Sequence, residues 1–402
     1  MKKVIILGAG IYQVPLIRKA REKDLYVIVI SIPGNYPGFE LADQIYYENT
    51  TDYKRILEIA RAEKADAIVT TGTDVAVITI GYVCDALGIP GLSFESARKA
   101  TNKALMKEAL KAGGVTTSDF YKVTSVEEAL KAADRLGYPV MLKIVDKSGS
   151  RGITKVTDQE PLREAYRYAM DFTDLPYLLV EKFTSGREIG IDAFVQDGIV
   201  KAVVPHEKLV FQTERTGIPL GHLCPMEMST ELEEKIYRET VKCVEALGLN
   251  HCAVNIDAFI TDEGDISVIE ATGRCGATGI PEVLGSYLGI DYYEAILDNA
   301  LGNKVEFPMD PEGVPTASYL LHSEEDGVVK EISYRFDDRT LRNEDLRDRR
   351  VQVSLDVKPG DRVEAFTNGT KRIGQAVFSA DTREELLKII HDFEESLKVE
   401  LE

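Results

Sequence analysis

Asp257, Glu270 and Arg274 are the residues whose types and spacing point most directly to chemistry. They lie in residues 253–279, AVNIDAFITDEGDISVIEATGRCGATG. Val254, Ile256 and Phe259 form one apolar run, and Ile266, Val268 and Ile269 form a second. Asp262-Glu263-Gly264-Asp265 between them is polar and carries the glycine that a hairpin turn favours. A hairpin places Asp257 beside Glu270, although they are thirteen positions apart in the chain. Two carboxylates facing one cavity suit a hard cation that also holds substrate phosphates, usually magnesium. Arg274 follows in a glycine-rich turn and brings a fixed positive charge to the same cavity. The plainer reading of acidic residues in a hairpin is solvation, and it fits Asp262, Glu263 and Asp265.

The elements around this hairpin must position it. Residues 2–93 alternate strand and helix: strands at 3–7, 26–30 and 67–71, helices to about 23, at 53–63 and at 75–87. This is a βαβ pattern with a parallel sheet. Gly8-x-Gly10-x-x-Gln13 is part of a dinucleotide fingerprint without its third glycine. The second strand ends in Ser31, with no acid for a ribose, so a nicotinamide dehydrogenase is disfavoured. Residues 96–113 read as one helix with Lys99, Lys103, Lys107 and Lys111 at i, i+4 spacing, which for most of them means a solvated basic face. Capping boxes are read at Ser125/Glu128, Thr230/Glu233 and Thr382/Glu385.

The strand at 138–143 ends on Lys143 and runs into Asp146-Lys-Ser148-Gly149-Ser150-Arg151-Gly152. Small residues between two strands let backbone N–H groups approach an anion closely. This loop is not a P-loop, and a plain hairpin is the alternative. The strand at 178–180 leads into Glu181-Lys182-Phe183, a linker whose backbone can hydrogen-bond an adenine, and Glu188 follows as a candidate for ribose hydroxyls. His206, Glu207, Lys208 and Arg215 read either as pocket lining or as surface polar residues. Residues 303–315 read as a linker. Beyond them come strands at 316–321, 328–335, 351–355, 362–368 and 374–380, then a final helix.

The chain has 402 residues, enough for two to four domains or subdomains. A net charge of −19 argues against broad binding to nucleic acid or an anionic membrane. The opening MKKVIILGAG has too short an apolar run for a signal peptide, and no stretch approaches a transmembrane span. Five scattered cysteines without CxxC spacing fit reduced thiols, and a cytoplasmic location is the expectation.

In this order the pieces resemble the ATP-grasp superfamily, nearest to the branch with biotin carboxylase, purine-biosynthetic carboxylases and L-amino-acid ligases. The resemblance implies an α/β and α+β architecture. Residues 1–95 would be a Rossmann-like domain. Residues 96–305 would be the nucleotide-binding and catalytic domain, with a lid subdomain at about 115–182, and residues 306–402 a small β-rich domain. It implies that Lys103 and Lys143 contact ATP phosphates and that Ser148, Gly149, Ser150 and Gly152 belong to a flap over them. It places adenine at Glu181, Lys182 and Phe183, ribose at Glu188, and magnesium, or manganese in its stead, at Asp257 and Glu270. Arg274 would meet the carboxylate or acyl phosphate, with Lys143 the second catalytic residue. The family usually reads E-x-N-x-R at this point. Here the run is Glu270-Ala-Thr272-Gly-Arg274, and Thr272 keeps an oxygen but lacks the amide.

The implied function is an ATP- and magnesium-dependent carboxylate–amine ligase. It would act on small metabolites through an acyl phosphate, releasing ADP and phosphate. A bicarbonate-activating carboxylase and a non-catalytic nucleotide-binding protein are the alternatives. Small-molecule acid and amine are the expected partners, with a homodimer left open.

Overall fold

The computed structural model describes residues 1–146, 152–212, 217–308, 311, 313–336, 339–343, 346 and 350–402. The chain divides into two compact units. The first holds residues 1–203, 228–275 and 296–305; the second holds residues 204–227, 276–295 and 306–402.

In the first unit, β1 (Lys3–Leu7), β2 (Tyr26–Ser31), β3 (Gln44–Tyr47) and β4 (Ala67–Val69) form a sheet in the order β3-β2-β1-β4. Every pairing is parallel, as predicted. The unbroken burial of β1 from Val4 onward and of β2 from Val27 onward is what strands covered on both faces require. Helices α1 (Val14–Glu22), α2 (Tyr53–Glu63) and α3 (Val77–Leu87) alternate with the strands. Gln13 fills the glycine turn after β1. Its Oε1 accepts from the Gly10 N–H at 2.9 Å, and its amide donates to Thr71 O. A Cβ on Gly8 would lie 2.8 Å from Gln13 Oε1. The Gly10 N–H, which a dinucleotide phosphate would need, is thus engaged within the turn. Strand order reverses between β1 and β4, where open parallel sheets present their ligand crevice. The loop leaving β4 carries Asp74.

The helix predicted over 96–113 is two helices, α4 (Phe94–Thr101) and α5 (Lys103–Ala112). Asn102 breaks it with extended backbone, and its Oδ1 accepts from Ala104 N at 3.0 Å and Leu105 N at 3.2 Å. An asparagine side chain competes with the helix for backbone donors, so it starts helices better than it continues them. The restart sets α5 in its own orientation, with consequences for its lysines.

β5 (Phe120–Val123), α6 (Val126–Leu136), β6 (Val140–Lys143), β7 (Thr154–Val156), α7 (Gln159–Met170) and β8 (Leu178–Lys182) follow. Their strands form an antiparallel sheet in the order β5-β8-β6-β7. Ala129, Ala133, Leu162 and Ala169 of the two helices pack with Val140, Leu142 and Val180 of the sheet in one core. Ser125 Oγ caps α6 by accepting from Glu128 N, but the Glu128 carboxylate reaches Thr124 N at 2.7 Å. Next come β9 (Arg187–Gln196) and α8 (Thr230–Leu247). Helix α8 is capped by Ser229, not by the predicted Thr230, because the Ser229 hydroxyl is the one that accepts from Leu232 N. The hairpin of Cys252–Ile260 and Ile266–Thr272 then lies against β9.

In the second unit, strands Gly217–Cys224, Thr316–Leu321, Gly374–Ser379 and Val351–Leu355 are antiparallel neighbours in that order. Gly327–Phe336 pairs with Arg339–Arg342, with Arg362–Val363 and with Lys398–Leu401. The predicted strand at 362–368 is therefore only its first two residues, and the terminal strand was not predicted. Thr382 Oγ1 caps the helix Arg383–Ser396 by accepting from Glu385 N, as expected. Leu320, Val353, Phe378, Leu386 and Phe393 meet in this unit's core.

Candidate active site

The predicted pair of carboxylates forms as direct cross-strand partners: Asp257 lies opposite Glu270, and Asn255 opposite Thr272. Residues opposite one another, or two apart on one strand, share a face of the sheet. Asn255, Asp257, Glu270 and Thr272 therefore occupy one face. The register shifts beside Asp257, because Ala258 pairs with Val268 and Ile269 is the extra residue of a bulge. On the other side Asp257 faces Gly190 and Asn255 faces Asp192. A glycine inside a strand often marks close approach of another group, and here it leaves the flank of Asp257 without a side chain. Asn255 donates to Asp192 Oδ2 at 2.9 Å.

These groups are oxygen donors, the set a hard divalent cation takes. Thr272 Oγ1 is buried and has no hydrogen-bond partner among the described residues, which fits an oxygen that a bound group would engage. Among the described residues no cluster of three or more His, Cys, Asp or Glu side chains forms a metal site. The oxygens here are two carboxylates with an amide and a hydroxyl. Glu270, 43% exposed, is ion-paired to Lys103 at the start of α5. Burial opposes the Lys103 charge, but Glu270, Asp74 and Glu181 outweigh it and hold its pKa above the ordinary lysine value.

One turn further along α5, Lys107 is 1% exposed. The solvated-face reading of this lysine is overturned; it holds for Lys111, which pairs with Asp119 at the surface. Lys107 Nζ lies 3.2 Å from Glu181 Oε2 and 2.7 Å from Thr117 Oγ1. Lys143, at the end of β6 as predicted, donates to the same Glu181 Oε2 at 2.9 Å. Burial pushes Lys107 down to about 8, and Lys143 and Lys103 add to that against the pull of Glu181. Burial alone would raise Glu181, yet Lys143 and Lys107 together hold it below the usual carboxylate range. Glu181 Oε1 is buried without a partner among the described residues.

Arg274 is the third charged centre. Its Nε and one terminal nitrogen both reach Asp74 Oδ1, at 2.8 and 2.6 Å. The other terminal nitrogen donates to Cys275 O at 2.9 Å and to Asn255 Oδ1 at 3.3 Å. Burial works against its charge, but Asp74 foremost outweighs that and raises the guanidinium pKa further. Asp74, Asn255, Asp192 and Lys107 were not identified from sequence. Asn255 and Asp192 had a signal, since each is a polar residue within an apolar strand. Asp74, two hundred positions from its partner, had none.

Lys182 donates to Gly137 O, and its backbone N–H goes to Asp119 O. Lys155 Nζ sits 3.7 Å from the centre of the Phe183 ring. Glu188 lies opposite Phe259 on the same sheet face as Asp257. Ser148, Gly149 and Ser150 lie outside the described residues, as does Arg215. Gly152 has a φ of +63°, and a Cβ there would meet Ile144 at 2.8 Å. In the second unit, His206 and His222 are buried with their Nδ1 atoms 3.2 Å apart. Burial keeps His222 well below the usual histidine range, hence neutral. Glu207 pairs with Arg383 at 2.7 Å.

All five cysteines are buried thiols outside any disulfide. Burial pushes Cys84, Cys243 and Cys252 up to about 12 each, and the thiolate is the reactive form. At pH 8, Ellman's reagent should find only slow, sub-stoichiometric reaction in the native chain and all five thiols in guanidinium. Fast reaction of several native thiols would contradict this packing.

No helix among the described residues is long and apolar enough to cross a membrane. The family of the D-ala D-ala ligase C-terminus matches residues 94–296, just over half of the chain. That of L-amino acid ligase C-terminal domain 2 matches residues 320–402. The alanine–anticapsin ligase of Bacillus subtilis (strain 168) is 24% identical over 333 residues, covering 73% of this chain and 69% of that protein. Phosphoribosylglycinamide synthetase from Anaerococcus prevotii is similar in structure with a TM-score of 0.83 at 27% identity, over 100% of both chains. L-amino acid ligase from Bacillus licheniformis has a TM-score of 0.83 at 20% identity, over 100% of this chain and 99% of that one, a likeness of fold. The chain belongs to the D-ala D-ala ligase C-terminal domain family within the ATP-grasp superfamily, with the ATP-grasp fold, and it is an ATP-dependent, ADP-producing ligase of the carbon–nitrogen bond-forming class.

Proposed function

We propose that this ligase joins a small carboxylic acid to an amine, with amino acids as the substrate class, by way of an acyl phosphate. The observation that carries the proposal is the sheet face holding Asn255, Asp257, Glu270 and Thr272, with Lys103 ion-paired to Glu270. The names of the alanine–anticapsin ligase and the L-amino acid ligase support the substrate class. The proposal keeps the division at residues 95 and 305 and the site residues read from sequence.

Asp257 and Glu270 would hold magnesium, which when bound neutralises phosphate charge and orients the transferring group. Lys103 and Lys143 would hold the nucleotide phosphates. A substrate carboxylate oxygen attacks the γ-phosphorus, and the β–γ bridging oxygen leaves with ADP. The amine then attacks the acyl carbon, phosphate leaves, and a proton passes from nitrogen to solvent. Arg274, held by Asp74 and Asn255, would fix the acid and meet the developing oxyanion.

The test is a screen of amino acids, singly and in pairs, with chromatography of the nucleotides. ADP and phosphate should appear only with a suitable acid, rise with the right amine, and accompany an amide. AMP and pyrophosphate as main products would reject the mechanism. Stimulation by bicarbonate alone would move the function to a carboxylase.

A further inference from the structure

The buried Lys107–Glu181–Lys143 cluster holds one more positive group than its single carboxylate offsets. Two ammonium groups share one carboxylate oxygen, Glu181 Oε2, at 3.2 and 2.9 Å, with Lys107 1% and Glu181 2% exposed. A neutral pair would need only Lys143, and burying a second cation is costly. Lys107 also reaches away from β8. It donates to Thr117 Oγ1, and Thr117 donates to Val268 O at 2.7 Å, two residues before Glu270.

We propose that Lys107 is a positioning residue for nucleotide binding: by sharing Glu181 it leaves the Lys143 ammonium with unspent positive charge for a phosphate, and through Thr117 it ties β8 to the hairpin strand carrying Glu270. The inference rests on the ATP reading above. With Lys107 present the three side chains sum to one positive charge; without it Glu181 cancels Lys143. Lys107 itself is too deeply buried to act on substrate, so its effect passes through Lys143. Burial's downward push on its pKa accords with a charge kept at a cost.

Calorimetry with a magnesium-bound, non-hydrolysable ATP analogue, and separately with adenosine, tests this. Wild-type protein must bind the analogue; failure there overturns the ATP reading itself, before any variant is compared. Lys107→Met should weaken the analogue on the order of tenfold, the effect of one charge at several Å in a partly screened site. Adenosine affinity should not change, because the lost interaction is with phosphate. Lys107→Arg should restore binding to within about threefold, since it returns the charge. Lys107→Met leaves a neutral Lys143–Glu181 pair and should fold. Should it not, Lys107→Gln removes the same charge while leaving a polar, hydrogen-bonding side chain at the position. In a Glu181→Gln background the Lys107 substitution should cost much less, because no carboxylate remains to be shared. Unchanged analogue affinity in a folded variant, equal losses for adenosine and analogue, or strict additivity with Glu181→Gln would overturn the proposal. A structural strut would lower the melting temperature and produce one of those results.

Discussion

Glu270→Gln should lower kcat by about 10²–10³-fold, the scale of losing one preorganised charge at a reacting centre, while the protein stays folded. Glutamine keeps the shape of the side chain and its place opposite Asp257. It can still accept a hydrogen bond from Lys103, so the pairing seen in the structure survives in weakened form. Glu270 is 43% exposed, and Lys103, which loses its nearest counter-charge, still has Asp74 and Glu181 to support it, so the melting temperature should move by only a few degrees. What is lost is half of the anionic charge proposed to hold magnesium, so the magnesium concentration needed for half-maximal turnover should rise sharply. Near-normal turnover with unchanged metal dependence would show that Glu270 only anchors Lys103.

Arg274→Lys should be nearly as damaging, by about 10²-fold in kcat/KM for the acid. The guanidinium uses all three nitrogens: two on Asp74, the third on Asn255 and Cys275 O. A single ammonium cannot span those directions, so charge is conserved and position is not. The loss should fall on the acid, because Arg274 is not among the residues proposed for ATP, and KM for ATP should change little. Asp74→Asn should reproduce part of the defect, since it loosens the same guanidinium without removing it. An equal loss of ATP affinity, or full activity of the lysine variant, would contradict the role assigned to Arg274.

Local pattern made most of this architecture legible in the sequence. The parallel strands announced themselves as apolar runs, and the hairpin as two such runs about Asp262–Asp265. Asp257 and Glu270 could be paired from sequence because one turn joins their two strands, and Arg274 follows four residues after Glu270. Reading failed where the decisive contact is distant in sequence. Lys107 resembles any lysine on an amphipathic helix until Glu181 is folded against it, and Asp74 has no local companion for Arg274. The break at Asn102 was missed for a different reason. Its neighbours favour helix, and only the capping geometry of its own side chain interrupts them. The fingerprint at Gly8 read correctly as incomplete, but that Gln13 occupies the turn is a tertiary fact.

The bulge at Ile269 bears on how such a site is found in other chains. Ile266, Val268, Glu270 and Thr272 are all even-numbered, and strict alternation would give them one face. The extra residue resets the phase: Val268 shares a face with Ala258, whereas Glu270 shares one with Asp257. A sibling lacking residue 269 would keep the same acidic partners with one position fewer between them. The count of residues from acid to acid is therefore free to drift, while the cross-strand partnership is not. A search for kindred sites by fixed spacing would discard such siblings, and one that follows pairing across the turn would keep them.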